Sequence, residues 1–193
     1  MAQIVAVQQA GGEVWFGDET TLREFPPLRS AWAKRGEQAT VIVSGRNERR
    51  VLHGALHLAT GDQVQVVRER LRGPDTVALI EALAARPRVG AAGAADRPRL
   101  LALDNAPAHK TKVVRAAAEA AGITLAWLPY RAPELNPCED LWRPLKATVA
   151  ANRAYPSVDA LADRALQWLN DLTGDEVRRI TGLTSSKFQW LST

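Results

Sequence analysis

Cysteine is almost missing: the 193-residue chain has one, Cys138. One thiol excludes an internal disulfide framework and a zinc cluster of the Cys-x-x-Cys kind, and it suits a reducing, cytoplasmic compartment. Long apolar runs are missing too. No stretch of about 18 or more apolar residues is available to span a bilayer. The opening MAQIVAVQQAGGEVWFGDE has no basic segment leading into an apolar block, so the sequence predicts neither membrane insertion nor export. No internal repeat is visible, and biased composition is confined to RVGAAGAADRPR, expected as a Gly/Ala-rich surface loop. The formal net charge of +4 permits a polyanionic partner without demanding one.

What is present is a 46% hydrophobic composition over a length that suits one domain, residues 1–193. Val14 to Phe16 reads as a short buried strand that delivers Asp18 and Glu19 at its end. LREFPPLRSAWAKRGEQ is broken by Pro26-Pro27 and Gly36 and reads as an irregular connection. Ala39 to Val43 is expected as a β-branched strand and 51–59 as another, with Thr60-Gly61-Asp62 turning tightly into QVQVV. Thr76 to Arg86 has helical spacing and Pro87 closes it. From Leu100 the order is strand, helix (110–121), strand (ITLAWL), proline loop, helix (137–151, with Pro144 expected to kink or limit it), then helices over 158–172 and near 175–181. Antiparallel strands followed by a β-α-β-α unit predict an α/β fold. The form expected is an RNase H-like mixed sheet, antiparallel in its first three strands and parallel in the later ones, flanked by helices.

Three carboxylates stand out. Asp104 follows the apolar strand 100–103, where open α/β sheets place ligands, although an Asp there also suits a turn or a helix cap. Asn136-Pro137-Cys138-Glu139 has the form of a helix start, and Glu139 can be read as a capping-box residue. A capping box does not call for Pro129 and Pro133 as well; these leave the loop entering the helix few conformations to lose. The predicted fold brings Asp18, Asp104 and Glu139 together from the first strand, the fourth strand and the helix after the fifth. Converging acids with no Cys or His cluster favour Mg²⁺ or Mn²⁺ over zinc, and two such ions about 3.5–4 Å apart can clamp both oxygens of an in-line phosphoryl displacement.

Asp-Glu-Thr at 18–20, Leu-Asp-Asn…His at 103–109 and Pro-Glu-Leu-Asn-Pro-x-Glu-x-x-Trp at 133–142 resemble the catalytic domain of DDE transposases, in the mariner-like superfamily and its bacterial insertion-sequence branch. Thirty-four residues lie between Asp104 and Glu139, the separation common in that group. The resemblance extends over positions 13–173. It implies a catalytic and metal-binding triad of Asp18, Asp104 and Glu139, two divalent ions, double-stranded DNA as partner, and a bacterial, nucleoid-associated setting. It admits a homodimer. Relatives have Pro-Pro-Tyr-Ser-Pro where this chain has Pro129-Tyr130-Arg131-Ala132-Pro133, and they carry a helix-turn-helix region ahead of the first acid. A separate helix-turn-helix polypeptide, as in a split element, is one expectation for the partner, and a truncated remnant or a trimmed piece is the other. The activity implied is hydrolysis and strand transfer at transposon ends; a non-catalytic DNA-binding or dimerisation remnant is the alternative, and a more general RNase H-like nuclease is a third reading.

Glu19 and Asp140 are the neighbouring rivals, and Glu134 is a third. Adjacent strand residues face opposite ways, so Asp18 and Glu19 do not readily serve one site. Asn105 and His109 are candidates to orient DNA phosphate or water. Lys110, Lys112 and Arg115, with Arg131, Arg143 and Lys146, are candidates for a phosphate-facing surface. The alternatives are a solvated face and, for Arg143, an i,i+4 ion pair with Glu139. Trp142 reads as core.

Overall fold

The computed structural model describes residues 2–43, 45–88 and 97–191. In chain order the elements are α1 (Ala2–Gln9), β1 (Glu13–Arg23), β2 (Arg49–His57), β3 (Gln63–Arg68), α2 (Gly73–Ala84), β4 (Arg99–Leu103), α3 (Lys112–Ala120), β5 (Ile123–Trp127), α4 (Pro137–Leu145), α5 (Val158–Asn170) and α6 (Gly174–Ile180). They build one sheet in the order β3-β2-β1-β4-β5. The pairs β1–β2 and β2–β3 are antiparallel, while β1–β4 and β4–β5 are parallel. This is the RNase H-like mixed sheet that the sequence predicts. Among the described residues no helix is long and apolar enough to cross a membrane.

Side chains alternate across a strand, so a sheet covered on both faces feeds two cores. Val14, Phe16, Leu100 and Ala102 enter the core shared with Ile4 of α1, Leu141 and Leu145 of α4, Leu161 and Leu169 of α5 and Val177 of α6. Trp15, Leu101 and Leu103 enter the other, against Leu79, Ile80 and Leu83 of α2 and Val114 of α3. Burying each such side chain contributes about 1.5–3 kcal/mol. The far end of the sheet is fixed electrostatically. Arg99, 1% exposed, pairs through Nε with Glu13 and donates from Nη1 to the Leu83 carbonyl at 2.5 Å, which ties the end of α2 to the start of β1 and β4.

Four expectations need correction. β1 does not stop at Phe16: it stays paired with β2 as far as Arg23↔Arg49, so Asp18 and Glu19 sit within the strand. Ala39 to Val43 forms no strand and pairs with no edge of the sheet, and Ile42 is 89% exposed. The helix expected over 137–151 is α-helical only to Leu145 and continues as a π-turn over Lys146–Ala150. Pro144 has no N–H to give to the i−4 carbonyl, and the bonding widens beyond it, with Ala151 N–H reaching Lys146 O at 2.9 Å. The helix α1 was not expected. The Gly/Ala-rich loop lies largely outside the described residues.

Candidate active site

The parallel pairing of β1 with β4 ends at Phe16↔Ala102. Beyond it β1 continues with β2 alone while the chain leaves β4, which opens a cleft at the carboxyl end of the parallel strands. Asp18, Asp104 and Glu139 line one cavity there, of about 330 Å³, together with Asn105, Asn136 and the 128–133 loop.

Asp18 faces the α4 side of the sheet. Its register partner in β2 is Gly54, where a Cβ would stand 2.7 Å from Cη2 of Trp142. The missing side chain is what admits the indole, and Trp142 Nε1 donates to Asp18 Oδ2 at 2.7 Å. Glu139 and Trp142 are three residues apart on α4, so the face that carries the acid also delivers this donor. Trp142 is core, as expected; its polar edge has a second task that hydrophobicity did not signal. Burial first, and then the charges of Glu139 and Glu19, push the Asp18 carboxyl well above its ordinary range.

Asp104 is held differently. Its Oδ1 accepts from Ala106 N–H at 2.8 Å and from His109 Nδ1 at 2.8 Å, and Oδ2 has no such partner among the described residues. The hydrogen bond from His109 is the main reason that its carboxyl lies below the ordinary range. His109 is 2% exposed, with Nε2 3.3 Å from Glu19 Oε2. Burial alone would depress the imidazole, but the bonds and charges of Asp104 and Glu19 override it and push it up to about 9. Its two ring nitrogens thus face Asp104 and Glu19.

Glu139 stands on the first turn of α4, and that turn is fastened to β1. Asn136 accepts from Cys138 N–H at 3.2 Å and donates from Nδ2 to Gly17 O at 3.1 Å, while Cys138 Sγ donates to Phe16 O at 3.1 Å. Pro137 occupies the first helical position, a 3₁₀ turn over Pro133–Leu135 precedes it, and Arg131 holds φ at 57°, a conformation uncommon outside glycine. Neither the capping box nor the ion pair with Arg143, the alternative readings of Glu139, is formed among the described residues. Among the described residues the Glu139 carboxylate has no hydrogen-bond or ion-pair partner. Asp140 turns away to pair with Lys187, and Glu134 lines an adjoining groove outside the cavity.

The basic candidates divide into groups. Arg131 lines the cavity itself. Asn105 spans its floor, donating to Leu128 O at 2.6 Å and accepting from Lys110 Nζ at 2.6 Å; Lys110 also lies 5.4 Å from the Trp127 ring centre. Arg143 and Lys146 line the adjoining groove of about 640 Å³ with Arg29, Lys187 and Glu139. Lys112 is exposed on α3 and lines neither.

The donor chemistry fits a hard divalent cation. Three carboxylates share a cavity, and the charges of Glu139 and Glu19 add to burial in pushing Asp18 up, a repulsion that a bound cation would offset. Among the described residues no three His, Cys, Asp or Glu side chains form a ready-made cage, so the acids would have to draw together around an ion.

A mixed sheet of this order with acids at the carboxyl end of its parallel strands defines the RNase H-like catalytic domain. Residues 13–162 match the family described as DDE superfamily endonuclease, and the chain belongs to that family. It is 26% identical over 161 residues to the insertion element IS630 uncharacterized 39 kDa protein of Shigella sonnei, covering 83% of this chain and 45% of that one. The chain thus spans under half the length of this curated relative. Among solved structures, the catalytic domain of Mos1 mariner transposase aligns with a TM-score of 0.64 at 13% identity, over 98% of this chain and 86% of that one. A pre-cleavage Mos1 transpososome aligns with a TM-score of 0.69 at 14% identity, over 98% and 58%. At these identities the likeness is one of fold: that of a DDE transposase catalytic domain.

Proposed function

We propose that this chain is a transposase catalytic domain that hydrolyses phosphodiesters at transposon ends and joins them to target DNA, using Mg²⁺ or Mn²⁺ held by Asp18, Asp104 and Glu139. One observation carries the reading: acids from β1, the end of β4 and α4 line a single cavity. Solved Mos1 complexes with Mg and with Mn are among its structural neighbours. A pair of such ions, when bound, supplies stabilisation of both the attacking and the leaving oxygen.

The chain's own residues supply placement. Trp142 fixes one oxygen of Asp18, Ala106 and His109 fix one oxygen of Asp104, and the Asn136 cap sets the start of the helix that carries Glu139. Cys138 is buried against the Phe16 carbonyl and burial pushes its thiol up, which does not favour it as a nucleophile; in this reading the attacking oxygen belongs to water or to a DNA 3′-hydroxyl. Arg131, with Lys110 at the edge and Arg143 and Lys146 in the adjoining groove, would meet the phosphates. Residues 1–193 act as one catalytic domain in this reading, with end recognition by a separate helix-turn-helix polypeptide and assembly as a homodimer.

The test is incubation with a transposon-end duplex and with plasmid, with and without Mn²⁺, for wild type and Asp104→Asn. Metal-dependent cutting by wild type and none by the folded variant is the expected result. Equal cutting by both removes Asp104 from the chemistry, and DNA binding without any cutting would make the chain a non-catalytic remnant.

A further inference from the structure

Glu19 takes no part in the mechanism above. It follows Asp18 on β1, so its side chain leaves the opposite face of the sheet and does not line the cavity. Nor does it go to solvent: the side chain is 16% exposed, and Oε2 is buried with no well-angled hydrogen bond among the described residues. That atom stands 3.3 Å from His109 Nε2, and the other ring nitrogen is 2.8 Å from Asp104 Oδ1. A buried imidazole therefore faces a carboxylate at each nitrogen, hydrogen-bonded to Asp104 at the end of β4 and in ion-pair range of Glu19 on the adjacent β1.

Burying a carboxylate is costly unless it is paired. Its geometric effect is specific. With Glu19 fixing the Nε2 edge, the ring plane is set and the Nδ1 edge points at Oδ1 of Asp104, which leaves Oδ2 free to turn to the cavity. We propose that Glu19 is a positioning residue for Asp104, acting through His109 and setting the affinity of the site for its divalent ion. Partners that orient a ligand in this way typically change metal affinity 10–100-fold when removed. The inference rests on the reading of Asp104 as a metal ligand.

The test is calorimetric titration of Mn²⁺ into the purified chain, without DNA and without turnover. Glu19→Met keeps the side-chain length and removes the acceptor; Glu19→Gln keeps an acceptor. Glu19→Met should weaken Mn²⁺ binding about 10-fold or more, and Glu19→Gln should stay within about 3-fold of wild type. In a His109→Ala background Glu19→Met should add nothing, because both act along one route. Wild-type affinity in Glu19→Met, alongside weakened binding in Asp104→Asn, would overturn the positioning role alone. Unchanged affinity in Asp104→Asn would overturn the metal-ligand reading and this inference with it. A further readout needs no variant: in proton NMR of wild type, both ring N–H protons of His109 should exchange slowly with water, and fast exchange at Nε2 would contradict the clamp.

Discussion

Replacing Gly54 with alanine puts a methyl group where the indole of Trp142 lies. The added Cβ would stand 2.7 Å from Cη2 and 3.2 Å from Cζ2, whereas carbon atoms rest at about 3.5–4.0 Å. The ring must give by nearly 1 Å, and it has little room: Trp142 is 4% exposed and packed within the α4-side core. Overpacking of this kind costs about 1–3 kcal/mol. The same movement stretches the 2.7 Å bond to Asp18, and a typical hydrogen bond contributes about 0.5–1.5 kcal/mol. Loss of several kcal/mol is a large part of the stability of a domain. Urea unfolding followed by tryptophan fluorescence should show a clearly lower midpoint with an unchanged slope, and cutting should fall further than stability accounts for, because Asp18 loses its donor. A Gly54→Ala protein with wild-type midpoint and activity would refute the claim that this glycine exists to seat Trp142.

Other predictions follow from the same contacts. Glu13→Gln leaves Arg99 charged in a site where it is 1% exposed, and should cost about 3–5 kcal/mol in urea unfolding while leaving the Mn²⁺ affinity of the folded fraction unchanged. The His109 imidazole is pushed up to about 9 from 6.5, so the folded state binds its proton more tightly than the unfolded chain does. The stability from this group is complete below pH 6.5 and lost as the pH rises through 9, by a few kcal/mol at most. Melting of the metal-free protein should fall across that window, and His109→Gln should flatten the fall.

Much of this site was legible in the sequence because its acids sit beside elements with strong local signals. The apolar run before Asp104 predicts a strand end, and Asn136-Pro137 predicts a helix start; both are where the structure has them. The error over β1 has a physical reason. Gly17-Asp18-Glu19 breaks the apolar run, so the strand reads as ending there, yet Gly17 and Gly54 are small because Leu103 and Trp142 occupy the space over them. Ala39 to Val43 shows the converse: β-branched residues make a strand only where a partner edge exists. The bond from Trp142 to Asp18 and the approach of Glu19 to His109 join residues 124 and 90 positions apart in sequence. Their only signal was parity, since the strand that turns Asp18 toward α4 must turn Glu19 toward α3.

The most direct measurement is a crystal structure of the chain with Mn²⁺, using the metal's anomalous scattering to find it. The account predicts manganese in the cleft at the end of β1 and β4, bonded to oxygens of Asp18, Asp104 and Glu139 at about 2.0–2.3 Å. Manganese bound elsewhere, or a cleft in which one of the three acids stays out of bonding reach, would contradict it.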